Sequence, residues 1–126
     1  MHEFAIGEQL VAAVRSELAA LHPPPRRLLR VRVVAGRFRQ IAPESLCLAY
    51  DLLTRDTPLA GSALELTQPP VHLTCRACGQ EAEADSPVPL CPACGSAEVD
   101  VRGGLELYLD SLEVEPDERD HDPSLP

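Results

Sequence analysis

The sequence predicts an α+β fold, in which two helices pack on a small, mainly three-stranded sheet that carries an inserted zinc-ribbon lobe. Apolar residues recur with helical spacing in two segments, 4–21 and 42–53. They alternate with polar residues in three other segments, 28–36, 62–68 and 105–114, as is typical of half-buried strands. Two closely spaced pairs of cysteines lie between the second and the third alternating segment.

Composition restricts the class of protein further. The chain has 126 residues, which is enough for one compact domain or two small ones. Its net charge of −9 argues against a nucleic-acid-binding protein, which would normally present a basic surface. The sequence shows no signal-peptide pattern and no apolar run long enough for a membrane span, so we expect a cytoplasmic protein.

The first predicted helix covers residues 4–21, and its acidic residues Glu3 and Glu8 suit the positive N-terminal end of a helix. The apolar residues that share one face of this helix are Leu10, Val14, Leu18 and Leu21. Pro23–Pro25 ends the helix, because proline has no backbone N–H and its ring clashes with the preceding turn. His22 lies at this end, and we interpret it as an exposed residue.

The strand predicted at 28–36 has an apolar face and a basic face. The apolar side chains of the strand are Leu29, Val31 and Val33. Arg30 and Arg32 point the other way. We interpret these arginines, with those at positions 26, 27, 37 and 39, as solvated residues. The alternative is a contact surface for an acidic partner.

The second predicted helix covers residues 42–53 and has Pro43 at its first position, where proline is favoured. The residues of its predicted buried face are Leu46, Ala49, Tyr50 and Leu53. Cys47 lies beside this face and is interpreted as a small buried or semi-buried thiol. In the strand at 105–114 the alternation slips by one residue, which predicts a β-bulge near Asp110–Ser111.

The strand at 105–114 is needed to complete the first sheet, so the cysteine segment is predicted to be an insert and not a separate C-terminal domain. The predicted domains are a discontinuous α/β domain at residues 1–68 and 103–114 and a zinc-ribbon domain at residues 69–102. Residues 115–126 are acidic and rich in proline, and we expect them to form a disordered tail.

The two cysteine pairs, CRACG at 75–79 and CPACG at 91–95, are separated by twelve residues. Four thiolates without another donor form a closed tetrahedral set, which is typical of structural zinc. The predicted zinc ligands are Cys75, Cys78, Cys91 and Cys94. Gly79 and Gly95 can adopt the positive φ that lets the backbone wrap a metal ion. Two disulfides or a rubredoxin-like iron site are the alternatives, and His72 is expected to be exposed.

Four segments occur together in this chain: Met1-His2-Glu3, GRFRQIAPESL at 36–46, the spaced cysteine pairs, and GGLELYLDSLEV at 103–114. Together they resemble the HypA family, whose members are nickel-incorporation factors for [NiFe] hydrogenase maturation. The resemblance covers residues 1–114. One departure is Phe4, where the family often has leucine or methionine.

The resemblance implies that His2 is a nickel ligand and that the four paired cysteines bind structural zinc. Taken alone, a histidine at the second position is more simply a polar residue at a frayed end. The α-amine of Met1, the amide nitrogen of His2 and its imidazole can nevertheless form fused chelate rings, and Glu3 can supply a fourth donor. Nitrogen-rich tetragonal donor sets suit Ni(II).

The resemblance also implies that the protein is a metallochaperone that delivers nickel, with the nickel-binding GTPase HypB and the hydrogenase large subunit as partners. The alternative function is a zinc-ribbon protein-interaction module without nickel transfer, which would not require an unblocked start at Met1 and His2. An enzyme is not expected, because the sequence has no HExxH motif, no Ser/His/Asp signature and no glycine-rich phosphate loop. We assign no metal to His121 in the acidic tail.

Overall fold

The computed structural model describes residues 2–86 and 88–116, which form two helices, six strands and a short 3₁₀ turn. The elements in chain order are α1 (His2–Ala19), β1 (Arg27–Ala35), the 3₁₀ turn (Arg37–Arg39), α2 (Pro43–Thr54), β2 (Ala63–Thr67), β3 (Val71–Cys75), β4 (Glu81–Ala84), β5 (Val99–Arg102) and β6 (Leu107–Glu115). One sheet has the strand order β2-β1-β6, and the other has the order β4-β3-β5. The predicted α+β class is confirmed, while strands β3, β4 and β5 were not predicted.

The described residues fall into two compact units. The first draws its residues from 2–33, 42–66 and 109–116, and the second from 34–41, 67–86 and 88–108. Residues 34–41 group with the distant cysteine segment because the two backbones are hydrogen-bonded. The Gly36 N–H donates to the Glu106 carbonyl at 2.7 Å, and the Phe38 N–H donates to the Gly104 carbonyl at 2.8 Å. The domain boundaries drawn from the sequence stay a prediction.

Close packing of α1 against α2 defines the helical part of the first unit. Gly7 makes the approach close, since a Cβ there would lie 3.0 Å from Leu53 Cδ1 and 3.4 Å from Ala49 Cβ. The buried residues that α1, β1 and α2 contribute to the core of the first unit are Leu10, Val14, Leu28, Val31, Val33, Leu46, Ala49 and Tyr50. Complete burial of one large aliphatic side chain contributes about 1.5–3 kcal/mol, so this cluster accounts for much of the favourable free energy of folding.

The N-terminal helix differs from its predicted extent at both ends. It begins at His2 and stops at Ala19, after which the Ala20 and Leu21 N–H groups bond to carbonyls three residues back. Leu21 is therefore outside the helix and 39% exposed, so its predicted place on the buried face is wrong. His22 follows the helix and is exposed, as expected.

Glutamates on the neighbouring strands neutralise the basic face of β1. Arg30 Nε lies 3.2 Å from Glu65 Oε2 on β2, and Arg32 donates to Glu113 Oε1 on β6 at 3.1 Å. Pairs this exposed contribute only about 0.2–1 kcal/mol each. They nevertheless pair both arginines within the sheet. This pairing favours the interpretation of the arginines as solvated residues of the strand face over the alternative of a contact surface for an acidic partner.

The C-terminal strand reaches Glu115, one residue further than predicted. The Glu115 carboxylate pairs with Arg26 and Arg27, and the Glu115 carbonyl accepts a hydrogen bond of 2.7 Å from the Arg26 N–H. Exposure along β6 alternates up to Asp110 and then stops alternating, while the bulge itself stays a prediction.

Residues 117–126, including His121, lie outside the described residues. Within the described part of the chain, neither helix has the length and apolar character that a membrane crossing requires.

Candidate metal centres

The sulfur atoms of the four paired cysteines meet in one cluster in the second unit, within 4.8 Å of one another. The Cys75 and Cys94 sulfurs are 3.6 Å apart, and the Cys78 and Cys91 sulfurs are 3.7 Å apart. Four sulfurs placed tetrahedrally at about 2.3 Å from a zinc ion would be separated by about 3.8 Å. The cluster therefore fits a tetrahedral metal ion. Disulfide sulfurs would be only about 2.05 Å apart, so the disulfide alternative is not supported.

The two cysteine pairs have the same backbone geometry. The Gly79 N–H donates to the Cys75 carbonyl at 2.9 Å, and the Gly95 N–H donates to the Cys91 carbonyl at 2.8 Å. Both glycines have a φ of +78°, a conformation that costs other residues free energy. Each pair thus turns its backbone around the cluster, as the sequence predicted.

Backbone amides prepare the first cysteine of each pair for ionisation. The Cys94 N–H, directed at the Cys91 sulfur, is the main reason that the pKa of Cys91 falls to about 7. The Cys78 N–H lowers the pKa of Cys75 in the same way. The Ser96 N–H lowers the pKa of Cys94, but the other thiols and burial outweigh it and raise that pKa to about 12. Four adjacent thiols cannot all ionise without a compensating cation, and a divalent metal ion removes this conflict.

Buried side chains share the face of β3 that carries Cys75. Val71 and Leu73 on β3 are buried, as are Cys75 and Cys91. Strand β3 pairs antiparallel with β4 and β5, and the alternation of its side chains places His72 on the opposite face. The Nδ1 atom of His72 lies 3.6 Å from Glu83 Oε2, and its side chain is exposed, as expected.

A second group of potential donors lies at the start of α1. His2 is the first residue of the helix, with 52% of its side chain exposed, and its Nδ1 atom is 3.6 Å from Glu3 Oε1. The other carboxylate oxygen, Glu3 Oε2, accepts a hydrogen bond of 3.0 Å from the Ala42 N–H. This hydrogen bond is the main reason that the pKa of Glu3 is lowered from 4.5. Met1 lies outside the described residues.

The Glu3–Ala42 hydrogen bond was not predicted from the sequence. Ala42 is the residue that precedes the first turn of α2, and its own side chain provides no cap. Glu3 therefore connects the start of α1 to the start of α2.

Cys47 belongs neither to the cysteine cluster nor to the donors at the start of α1. Its thiol donates to the Leu64 carbonyl at 3.5 Å, and burial raises the pKa of this thiol. The thiol is half-buried, which agrees with its interpretation as a buried or semi-buried thiol.

Comparisons with known proteins place the chain in a family. Residues 1–114 match the family model described as "Hydrogenase/urease nickel incorporation, metallochaperone, hypA". A hydrogenase maturation factor HypA from Solidesulfovibrio magneticus is 38% identical over 119 residues, covering 91% of this chain and all of that relative. Another from Nostoc punctiforme is 34% identical, covering 91% of this chain and 96% of that relative.

The fold has a solved counterpart. The solution structure of the Ni metallochaperone HypA from Helicobacter pylori shares 20% identity, covers 91% of this chain and 98% of that one, and has a TM-score of 0.58. That identity supports a common fold and nothing finer. With the family match over 1–114, the chain belongs to the HypA family of hydrogenase/urease nickel-incorporation metallochaperones, which are maturation factors and not enzymes.

Proposed function

We propose that the protein binds Ni(II) through His2 and delivers it during [NiFe] hydrogenase maturation, while the four paired cysteines hold a structural Zn(II). The observation that carries the proposal is the exposed His2 imidazole beside the Glu3 carboxylate, in a chain of a nickel-incorporating family. A zinc-ribbon interaction module without nickel transfer would have no use for this arrangement.

The start of a helix favours coordination by a backbone nitrogen. An α-helix provides no i−4 acceptor for the amides of its first turn, so coordination by the His2 amide nitrogen would break no intrahelical hydrogen bond. The α-amine of Met1 and the imidazole of His2 would complete three nitrogen donors in fused rings. Such a tetragonal nitrogen set suits Ni(II), whereas the tetrahedral thiolates suit zinc. Geometry would thus separate the two metals within one chain.

Glu3 is the candidate for the fourth donor or for a contact that orients the imidazole. Its Oε1 atom is 3.6 Å from His2 Nδ1, while Oε2 accepts a hydrogen bond from the Ala42 N–H. The positive end of the helix dipole opposes a bound cation by about 0.3–1 kcal/mol, and a carboxylate at this position offsets that effect. An exposed terminal turn also opens at low free-energy cost, which suits a carrier that must release its cargo.

The zinc site has a structural role in this proposal. Structural zinc in small domains contributes about 10–16 kcal/mol of binding free energy, which becomes folding free energy. Besides Cys75 and Cys91, the buried apolar residues that the structure describes in the second unit are few (Ala35, Ile41, Val71 and Leu73), so we expect the unit to depend on this contribution. We further propose that the nickel-binding GTPase HypB and the hydrogenase large subunit are its partners, in the cytoplasm. Transfer of nickel from the loaded protein to the apo large subunit, measured with and without HypB, tests that assignment.

Nickel calorimetry on matched histidine variants tests the site. His72 is the control, because its side chain is 51% exposed against 52% for His2, and each Nδ1 atom lies 3.6 Å from a glutamate oxygen. We expect stoichiometric binding by the unmodified protein and by His72→Ala, and loss of this binding in His2→Ala. Equal binding by His2→Ala would place the nickel site elsewhere.

A second comparison tests the terminal amine. A protein with extra residues before Met1 keeps the imidazole and the carboxylate but moves the α-amine away from them. We expect this extended protein to lose stoichiometric nickel binding. If it binds nickel as tightly as the unmodified protein does, the amine is not a donor.

A further inference from the structure

An apolar groove opens on the surface formed by α1 and α2. It has a volume of about 220 Å³ and is lined by Glu3, Phe4, Ser45, Leu48, Ala49 and Leu52. Its three large apolar side chains are exposed, with 43% of Phe4, 60% of Leu48 and 46% of Leu52 accessible to solvent. Contiguous exposed apolar residues of this kind mark interaction surfaces, while isolated ones do not.

The spacing of the groove residues matches a helical partner. Leu48 and Leu52 are four residues apart on α2, so their side chains lie on one face, one turn apart. Phe4 of α1 provides the opposing wall. Helix α2 has 12 residues and is therefore about 18 Å long, enough to accompany three turns of a docked helix. Amphipathic helices bind such grooves through apolar residues at i, i+4 and i+7.

The charges around the groove indicate the character of that partner. Glu44 and Asp51 lie four residues before and three residues after Leu48 on α2, and Glu8 lies four residues after Phe4 on α1. All three carboxylates are exposed, and none has an ion-pair partner among residues 2–86 and 88–116. The arginines of β1, by contrast, are paired within their own sheet.

We propose that this groove, named the α1/α2 groove, binds an amphipathic helix of a partner protein, with apolar side chains flanked by lysine or arginine. Like charges disfavour a second copy of the chain, because its own acidic rim would oppose this one. Glu3, which lies beside His2, lines the groove, so a docked partner would lie next to the nickel cargo. That last point rests on the proposed function, whereas the groove and its charges do not.

Two synthetic helical peptides of about 16 residues, or about 24 Å, serve as probes. Both carry leucines at i, i+4, i+7 and i+11, one with flanking lysines and the other with flanking glutamates. Affinity for the zinc-loaded protein is measured by fluorescence anisotropy at low and high salt. We expect the lysine peptide to bind at least about tenfold more tightly, with the difference decreasing as salt screens the charges.

Paired substitutions locate the binding surface. We expect Leu48→Ser with Leu52→Ser to weaken binding of the lysine peptide at least about tenfold. The control is Val88→Ser with Leu90→Ser in the second unit, whose side chains are 57% and 46% exposed, and we expect no change from it. Asp51→Lys should weaken the lysine peptide and strengthen the glutamate peptide. Circular dichroism and zinc content confirm that each variant is folded.

Several results would overturn the proposal. Equal binding of both peptides would contradict a basic partner. Equal weakening by the control substitutions Val88→Ser and Leu90→Ser would show that the α1/α2 groove is not the binding site. Failure of both peptides to bind would also count against it. A dimer that dissociates in the Leu48 and Leu52 variant would identify a second copy as the occupant. His2→Ala should bind the peptide normally, so loss of the nickel site and loss of the groove are distinguishable.

Discussion

Substitution of Gly104 by alanine tests how much the close approach of Gly104 to Phe38 contributes to the stability of the second unit. Gly104 has a φ of +102°, and its carbonyl accepts the Phe38 N–H at 2.8 Å. A Cβ at Gly104 would overlap the edge of the Phe38 ring and lie 2.6 Å from its Cε2 atom, a separation that real Cβ atoms essentially never show. Gly104→Ala therefore combines backbone strain with a steric clash.

Gly103 separates these two effects. Its φ is +86°, but the nearest atom to a Cβ there is Glu106 Oε2 at 3.2 Å, the tip of a flexible side chain. Strain at such a φ costs about 1–3 kcal/mol in both variants. Overpacking against the Phe38 ring adds about 1–3 kcal/mol in Gly104→Ala alone. At a urea m-value of about 1–3 kcal/mol/M, a difference of about 2 kcal/mol moves the unfolding midpoint by about 1 M.

Urea unfolding of the zinc-loaded variants, followed by zinc release and circular dichroism, measures this difference. We expect Gly104→Ala to unfold at the lower urea concentration, and Phe38→Leu to restore part of its stability in a double-mutant cycle. The reasoning is refuted if Gly103→Ala is destabilised equally. It is also refuted if the Phe38 substitution gives no rescue, because the clash would then contribute nothing.

Three further predictions concern the metal sites and the core. Protons compete with nickel for imidazole and amine nitrogens, so nickel should dissociate on acidification in equilibrium dialysis, and unchanged affinity at about pH 5.5 would contradict the site. The lowered pKa of Glu3 means that its contribution is lost only as pH falls through that depressed value, so circular dichroism should be unchanged at the pH of release. Cys91→Ala should lose zinc and the protected amides of the second unit in hydrogen exchange while keeping the helical signal; complete loss of that signal would show one folding unit. Tyr50→Phe removes a buried hydrogen bond of 2.6 Å to Ser62 and should lower the free energy of unfolding by about 0.5–1.5 kcal/mol in urea titration. The exposed control Tyr108→Phe should change it little, and equal effects would count against the buried bond.

Local chemistry made several elements predictable. Pro43 marks the first residue of α2, because its fixed φ suits a helix start, and helical spacing identified Leu46, Ala49 and Tyr50 as buried. The cysteine spacing indicated one tetrahedral cluster, since two short chelating turns bring four sulfurs together. The end of α1 was less predictable: the apolar spacing continues to Leu21, but the helix does not.

Other features depend on contacts between residues distant in sequence. The short strands β3, β4 and β5 have weak patterns of their own and form because they pair with one another. The pairing of Arg30 and Arg32 with glutamates required two neighbouring strands to be identified first. A single sequence window contains none of these partners.

The sequence by itself determined the fold class and the cysteine cluster, because each follows from residue types at short, regular spacing, whereas His2 as a candidate donor came from the resemblance to the HypA family. Only the tertiary structure decided that Glu3 holds the Ala42 amide and that an apolar groove opens on α1 and α2. Both features join segments about forty residues apart. Contacts of that range depend on how helices and strands pack, and local spacing does not encode packing.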